Sequence, residues 1–425
     1  MRTFITLWLG QLASSIGSAM TYFALTLWVW ERTQSATAIA LILVFYQLPQ
    51  LAIALVSGLL VDRVSRKGLL IFSDIGSAIC TISVGILAAL HLLQVWHIYA
   101  IAAIIGCFGN VQSLTYATLI PLIVPPAHHS RASSLAAMID FGAAILSPAL
   151  AGLLYPLVGL LGITAVDMTT FAIALVTLLL VPIPAAQLPE PPDENPTERT
   201  TLWHRVTFGF RYIAAQPNLV ALVVALSAFT FLHQIGEALY QPMILARTGG
   251  DAQVLGLVVA ASGMGGVVGA IAFSLWNGFQ RREVGILVGF MGTGASKLLL
   301  GMGSFPSLWA VARFGTSFHN PLILSSYMAV WYARVPPERQ GRVLAADYLI
   351  GTVAMVLANL AAGPLADGVF EPWMANSSHH LSVIFGAGPG SGMALLQVVL
   401  AVGMLTLGLG GLGWERMRQR AGYRV

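Results

Sequence analysis

Charge is what this sequence has least of. Only 9% of its 425 residues are Asp, Glu, Lys or Arg, against about a quarter in a soluble globular domain. A chain so poor in charge and 57% hydrophobic cannot cover itself with a polar coat, which excludes a water-soluble globular protein. Cysteine is also scarce. Cys80 and Cys107 both fall inside apolar runs, so they read as small buried hydrophobes, and neither a disulfide framework nor a metal-ligand spacing is present. No Walker A loop, catalytic triad or metal-ligand cluster stands out. Direct ATP-driven transport and enzymatic chemistry are therefore not expected, and no cofactor or metal is called for. The adjacent histidines His379 and His380 stand as a lone pair in a loop and read as solvated rather than ligating.

Long apolar runs are what the sequence does contain. Twelve reach the roughly 20 residues that a bilayer crossing needs, at about 4–29, 37–61, 69–93, 97–123, 132–156, 161–182, 218–241, 252–277, 284–302, 306–331, 343–366 and 389–413. Hydrocarbon leaves no outside partner for backbone polar groups, so such runs are expected as helices. The first is too long for a signal-peptide core and has no clear small-residue cleavage site, and it is kept as a span. The expected fold class is an all-α membrane protein with twelve transmembrane helices in two pseudo-symmetric six-helix bundles.

The few charges are sorted by side. With the N-terminus inside, 17 of the 21 Lys and Arg residues fall on inner segments, and only Arg32 and Arg247 fall outside. Lys297 and Arg313 lie within spans. This split is the positive-inside pattern. One missed span would scramble it, so it also checks the count. Both termini are expected in the cytoplasm, at a bacterial inner membrane. The basic balance then needs no nucleic acid to explain it.

In the middle the apolar rhythm stops. The run Pro189-Glu190-Pro191-Pro192-Asp193-Glu194-Asn195-Pro196 has linker composition. Leu202, Val206, Phe210 and Ile213, with Arg199, Arg205 and Arg211 between them, have the spacing of an amphipathic helix on the inner surface. The expected organisation is a first bundle over 1–182, a linker over 183–217 and a second bundle over 218–425. Two equivalent halves are a frequent plan of secondary carriers. A second long loop, about 367–388, is expected outside, with Asp367, Glu371, Pro372 and Trp373.

Between spans two and three stands Gly58-Leu59-Leu60-Val61-Asp62-Arg63-Val64-Ser65-Arg66-Lys67-Gly68-Leu69-Leu70. Asp62 sits at the inner end of a helix, where it can pair with bases or meet another helix's N-terminus. By itself the run also reads as positive-inside charge and a tight turn. The stretch resembles the signature loop of the major facilitator superfamily, G-x-L-x-D-R-x-G-R-[KR], with Ser65 where that family usually has Gly. The resemblance implies a cytoplasmic latch built from Gly58, Asp62 and Arg63, with Arg66 and Lys67 in support. The matching turn of the second half, Asn277-Gly278-Phe279-Gln280-Arg281-Arg282, keeps only the glycine and the bases, so the latch is expected on one side. Leu9-Gly10-Gln11, Trp28 to Thr37, Phe72-Ser73-Asp74 and Ala361 to Pro372 are similar to the drug-exporter branch that includes macrolide-efflux and enterobactin-exporter-like carriers. Ala143, Ser147, Pro148, Ala151 and Gly152 resemble that family's antiporter motif with small-residue replacements. They read equally as helix packing, as do Gly363 and Pro364.

Ionisable groups at membrane depth are costly and so point to function. Asp140 lies about nine residues beyond Arg131, roughly 14 Å into its helix, and is a candidate for proton or cation coupling. Glu237 shares a helical face with Gln234 and Gln241, beside Tyr240, and Pro242 is expected to break that helix. The resemblance implies that the first, fourth, seventh and tenth spans line the cavity, so Arg313 in the tenth span is expected to pair with Glu237. Lys297 is expected to snorkel to the outer interface, and Asp74 and Asp347 to cap inner helix ends. Gln11, Tyr46, Gln47, Asn110, Gln112, Tyr116, His319 and Asn320 complete the expected polar lining. In the fourth span Asn110, Gln112 and Tyr116 stand where many exporters of the resembled family place a base.

The function expected is secondary active export of amphipathic small molecules, of drug, macrolide or siderophore type, coupled to protons, by a monomer in the lipid bilayer. A lysophospholipid flippase is the alternative, and a non-transporting membrane scaffold or sensor fits poorly with charges at depth.

Overall fold

The structure is a computed structural model. It describes the backbone of residues 2–181, 202–276, 278–375, 381–386 and 388–420, and their side chains except at 2, 54–63, 121, 130, 202–206 and 415–420. The linker run 189–196, Asn277 and the His379–His380 pair lie outside the described residues, as do the side chains of Gly58, Asp62, Arg63, Leu202 and Val206.

All regular structure among the described residues is helical. The first unit contains α1 (Arg2–Thr33), α2 (Ala36–Arg63), α3 (Arg66–Ala89), α4 (Val95–Ile123) and α5 (His129–Leu180). Among the described residues, ten helices are long and apolar enough to cross a membrane. Two of the twelve expected crossings are missing from that number. The 52-residue α5 is two crossings, because Gly159 has φ 62°, outside helical geometry. Glycine adopts that angle without a Cβ penalty. The tenth crossing is broken into α10 (Pro306–Phe318) and α11 (Asn320–Arg334), each too short to cross alone. The twelve-crossing all-α architecture therefore stands, with the kink of α5 falling between the fifth and sixth expected spans and the α10–α11 break inside the tenth.

Turn chemistry explains the helix ends. Ser65 caps α3 by accepting from the Gly68 amide at 3.3 Å, which gives a structural use for the serine that replaces the usual glycine. Lys67 donates to the carbonyls of Leu179 (3.2 Å) and Val181 (2.8 Å), closing the C-terminal end of α5 with a cation. After α7 (Pro217–Thr248), Gly249 and Gly250 take φ 66° and 90°. Asp251 then accepts from the amides of Gln253 and Val254 to start α8 (Ala252–Leu275).

The chain forms two compact units, Met1–Asp193 with Ile244–Ala260, and Glu194–Met243 with Ala261–Val425. In the first, α1 runs along α5, α2 along α4, and α3 between α4 and α5. In the second, α9 (Arg282–Met302) is the hub, packed by α10, α11 and α15 (Ser391–Arg420). The amphipathic segment forms α6 (Leu202–Ala214), which packs on α12 (Pro337–Leu365). There the Arg342 guanidinium lies 4.6 Å from the Phe208 ring centre. Outward leucines such as Leu275 and Leu157, 83% and 79% exposed, are the surface that lipid covers.

Two expectations are corrected here. Pro242 does not break its helix: α7 continues to Thr248, as proline is tolerated where a membrane helix can resatisfy the freed carbonyl. The outer segment after 366 is not a plain loop. A π turn over Ala366–Phe370 and α13 (Glu371–Ala375) continue α12, and α14 (Leu381–Phe385) precedes α15. Glu371 accepts from the amides of Gly390 (3.2 Å) and Met393 (2.9 Å), tying this segment to the start of α15.

Candidate functional site

Each unit carries a polar cluster inside apolar helices. In the first unit, Asp74 is 2% exposed and sits two turns into α3. Its carboxylate accepts from Gln112 of α4 at 2.5 Å and Gln11 of α1 at 3.3 Å. Gln112 also donates to Gln11 at 3.1 Å. This corrects the expectation that Asp74 caps a helix end: it binds two side chains across three helices. Asp347 is no cap either. It lies ten residues into α12 and accepts from the Tyr327 hydroxyl at 2.6 Å.

A second buried carboxylate, Asp167 in the distal part of α5, accepts from Ser18 (3.2 Å), Thr21 (2.9 Å) and Thr81 (3.0 Å). Sequence reasoning missed it. The signal was available: an acid six residues into an otherwise apolar run after Leu161. Asp74 and Asp167 both line a cavity of about 210 Å³, with Ser14, Ser18 and Ser77. Beside it a more open cavity of about 750 Å³ is lined by Gln11, Tyr46, Gln112, Tyr116 and Asp140. The structure thus brings five of the expected lining and coupling residues together. Asp140 is exposed on this wall. The Tyr116 hydroxyl is buried without a hydrogen-bond partner. Gln47 and Asn110 are half-buried on α2 and α4.

In the second unit the structure joins Glu237 and Arg313. The guanidinium grips the carboxylate with two hydrogen bonds, 2.6 and 2.9 Å, the bidentate geometry that suits Arg to carboxylate. Arg313 also donates to Ser262 of α8 at 2.9 Å, and its guanidinium stacks 3.9 Å from the Tyr240 ring centre. A third ion was not expected there. Lys297 does not snorkel outward; it is fully buried. Its ammonium lies 3.0 Å from the same Glu237 oxygen and donates to the His233 carbonyl at 2.8 Å. The physical reason is that a buried carboxylate and carbonyl offer the ammonium fixed acceptors without leaving the bundle. His233 Nε2 is 3.7 Å from the carboxylate. Gly236 makes the room, since a Cβ there would lie 2.5 Å from Lys297 Nζ.

The other expected residues fall outside this core. Gln234 donates to Asn359 (3.2 Å), and Gln241 to the Tyr240 hydroxyl (3.0 Å). His319 sits at the α10–α11 break with Nδ1 2.7 Å from the Gly315 carbonyl, and Asn320 is exposed. Ser147 is fully buried and donates to the Ile16 carbonyl at 2.9 Å. Next to Pro148, Gly152 approaches the start of α8 so closely that a Cβ would lie 2.6 Å from the Ala252 carbonyl oxygen. Gly363 is buried in the last turn of α12, and Pro364 precedes the π turn.

The model of the Major Facilitator Superfamily matches residues 7–245. The chain belongs to that superfamily. It is 26% identical over 377 residues to the "Uncharacterized MFS-type transporter YfiS" of Bacillus subtilis, covering 86% of this chain and 87% of that one. To "Macrolide efflux protein A" of Streptococcus pyogenes it is 25% identical, covering 86% and 90%. Among solved structures, a bacterial homologue of the iron transporter ferroportin in an inward-facing state matches with a TM-score of 0.69 at 14% identity, over 97% and 98% of the chains. That likeness concerns the fold alone. This member of the superfamily is a multi-pass membrane transporter of a small-molecule substrate, and not an enzyme.

Proposed function

We propose that this transporter is a proton-coupled exporter of amphipathic small molecules, of drug, macrolide or siderophore type, in the bacterial inner membrane. It works as a monomer by alternating access of its halves, 1–182 and 218–425, joined by 183–217. The observation that carries this reading is the Glu237–Arg313–Lys297 cluster. Each charge at the centre of a membrane helix costs about 2.5–3.5 kcal/mol on insertion scales. Pairing lowers that cost without removing it, and such a cluster persists where charge movement is part of the task. The substrate class rests on the relatedness to a macrolide efflux protein. The cavity wall of Gln11, Tyr46, Gln112, Tyr116 and Asp140, part apolar and part hydrogen-bonding, suits a large amphipathic molecule.

In this reading Gly58, Asp62 and Arg63 form the cytoplasmic latch, with Arg66 and Lys67 in support. The charge split keeps both termini in the cytoplasm. Proteoliposomes with an imposed pH gradient test it. Erythromycin movement that rises with the gradient and collapses with a protonophore is the expected result. Gradient-independent movement of lysophospholipid with no erythromycin transport would replace the exporter with a lipid-moving carrier.

A further inference from the structure

The ion cluster of the second unit holds two cations and one anion. We propose that Lys297 carries the exchangeable proton of this transporter, that Glu237 relays it, and that Arg313 holds Glu237 in position. The inference rests on the proton-coupled reading and goes beyond it by naming the group that titrates.

Charge balance picks the residue. With Glu237 ionised and Lys297 and Arg313 protonated, the cage carries one net positive charge in a low-dielectric bundle. Protonating Glu237 would leave two buried cations with no anion between them. Protonating His233 would add a third cation 3.7 Å from the carboxylate. An arginine does not give up its proton in a protein. Loss of the Lys297 proton is the change that leaves the cage neutral, with the bidentate Arg313–Glu237 pair undisturbed.

Geometry supplies the route. Lys297 is sealed, with a side chain 0% exposed, while the Glu237 side chain, whose carboxylate lies 3.0 Å away, is 22% exposed. The N–H aimed at Glu237 Oε1 hands its proton to that oxygen, and the electron pair stays on Nζ. The carboxyl then gives the proton to water and ends ionised again. The amine keeps its position through the His233 carbonyl at 2.8 Å. Every packed element contributes to the surroundings. Helix α7 presents His233, Glu237 and Tyr240, α10 presents Arg313, and α11 is preceded by His319, which lies over Gly292 about a turn along α9. From α15 comes Gln397, which donates to the Gly236 carbonyl at 2.8 Å. Its own Oε1 is buried without a partner, as are Arg313 Nε and His233 Nδ1. The cage therefore holds hydrogen-bonding capacity that a second protonation state can use.

The test uses the purified full chain with erythromycin as probe, following binding by tryptophan fluorescence and proton release by a pH indicator in weak buffer. The wild type is expected to release about one proton per transporter on binding. Lys297→Arg, held charged, and Lys297→Met, held neutral, are expected to bind erythromycin and release none. In proteoliposomes the ratio of gradient-driven to downhill transport is expected to collapse in both, whatever the absolute rates. A Lys297→Arg protein that still releases the proton or keeps the ratio overturns the inference. So does loss of erythromycin binding in both variants, which would place Lys297 in the substrate site. Sensitivity to replacing chloride by gluconate instead of to pH overturns it too, because an anion would then be neutralising the cage. A wild type that binds erythromycin and releases no proton sinks the proton-coupled reading itself, whatever the variants do.

Discussion

Among the described residues Glu237 is the one anion between two buried cations, and the substitution Glu237→Gln measures what that arrangement is worth. Glutamine keeps the shape and one carbonyl acceptor. It leaves Arg313 and Lys297 facing each other unpaired, 3% and 0% exposed. Breaking a buried pair by removing one partner costs about 3–5 kcal/mol. The 22% exposure of the Glu237 side chain places this case at the lower end, ~3 kcal/mol. For a unit of this size each kcal/mol moves Tm by about 2–4 °C, so a fall of roughly 6–12 °C is expected. Lys297→Met and Arg313→Met act differently, because each leaves one cation facing one anion. Their loss should be smaller, ~1–2 kcal/mol. A thermal-stability assay on detergent-purified protein, read by the monodisperse fraction after heating, ranks the three. If Glu237→Gln shifts Tm no more than the lysine variant does, the charge-counting argument fails, and with it the view that Glu237 binds the cage together.

Other outcomes follow from single contacts. Asp167→Asn turns one acceptor oxygen into a donor facing the hydroxyls of Ser18, Thr21 and Thr81. It should lower stability by about 1–3 kcal/mol, measured by the same heating assay. Gly236→Ala would place a methyl 2.5 Å from Lys297 Nζ and 2.7 Å from Gln397 Oε1; it should displace the ammonium, lower Tm and impair gradient-driven transport together. Asp140→Asn, on an exposed cavity wall, should leave Tm within ~1 °C, as surface changes do, and alter erythromycin efflux. Unchanged efflux would remove Asp140 from the transport path. Gly106→Ala, where a Cβ would overlap the Tyr46 carbonyl oxygen, should separate α4 from α2 and lower the yield of folded protein.

The membrane and the twelve crossings were written in one dimension. Apolar run length is a direct consequence of bilayer thickness, and the position of Arg and Lys along the chain reports orientation without any contact being known. The superfamily loop was equally local, since Asp62 to Lys67 are neighbours in sequence. Helical spacing also placed Gln234, Glu237 and Gln241 on one face of a single helix. The partners of those faces were not legible, because they come from other helices at distances no local pattern encodes. Lys297 looked like a snorkelling lysine because its own helix is apolar; only packing revealed the Glu237 carboxylate waiting 3.0 Å away. Asp74 looked like a helix cap until Gln11 and Gln112, 63 and 38 residues distant in sequence, closed around it. Asp167 went unnoticed because its three hydroxyl partners lie on α1 and α3. Composition and spacing determined that this chain crosses a membrane twelve times. Tertiary structure alone decided which charges meet, because pairing inside a bundle depends on side chains from different helices arriving at one point.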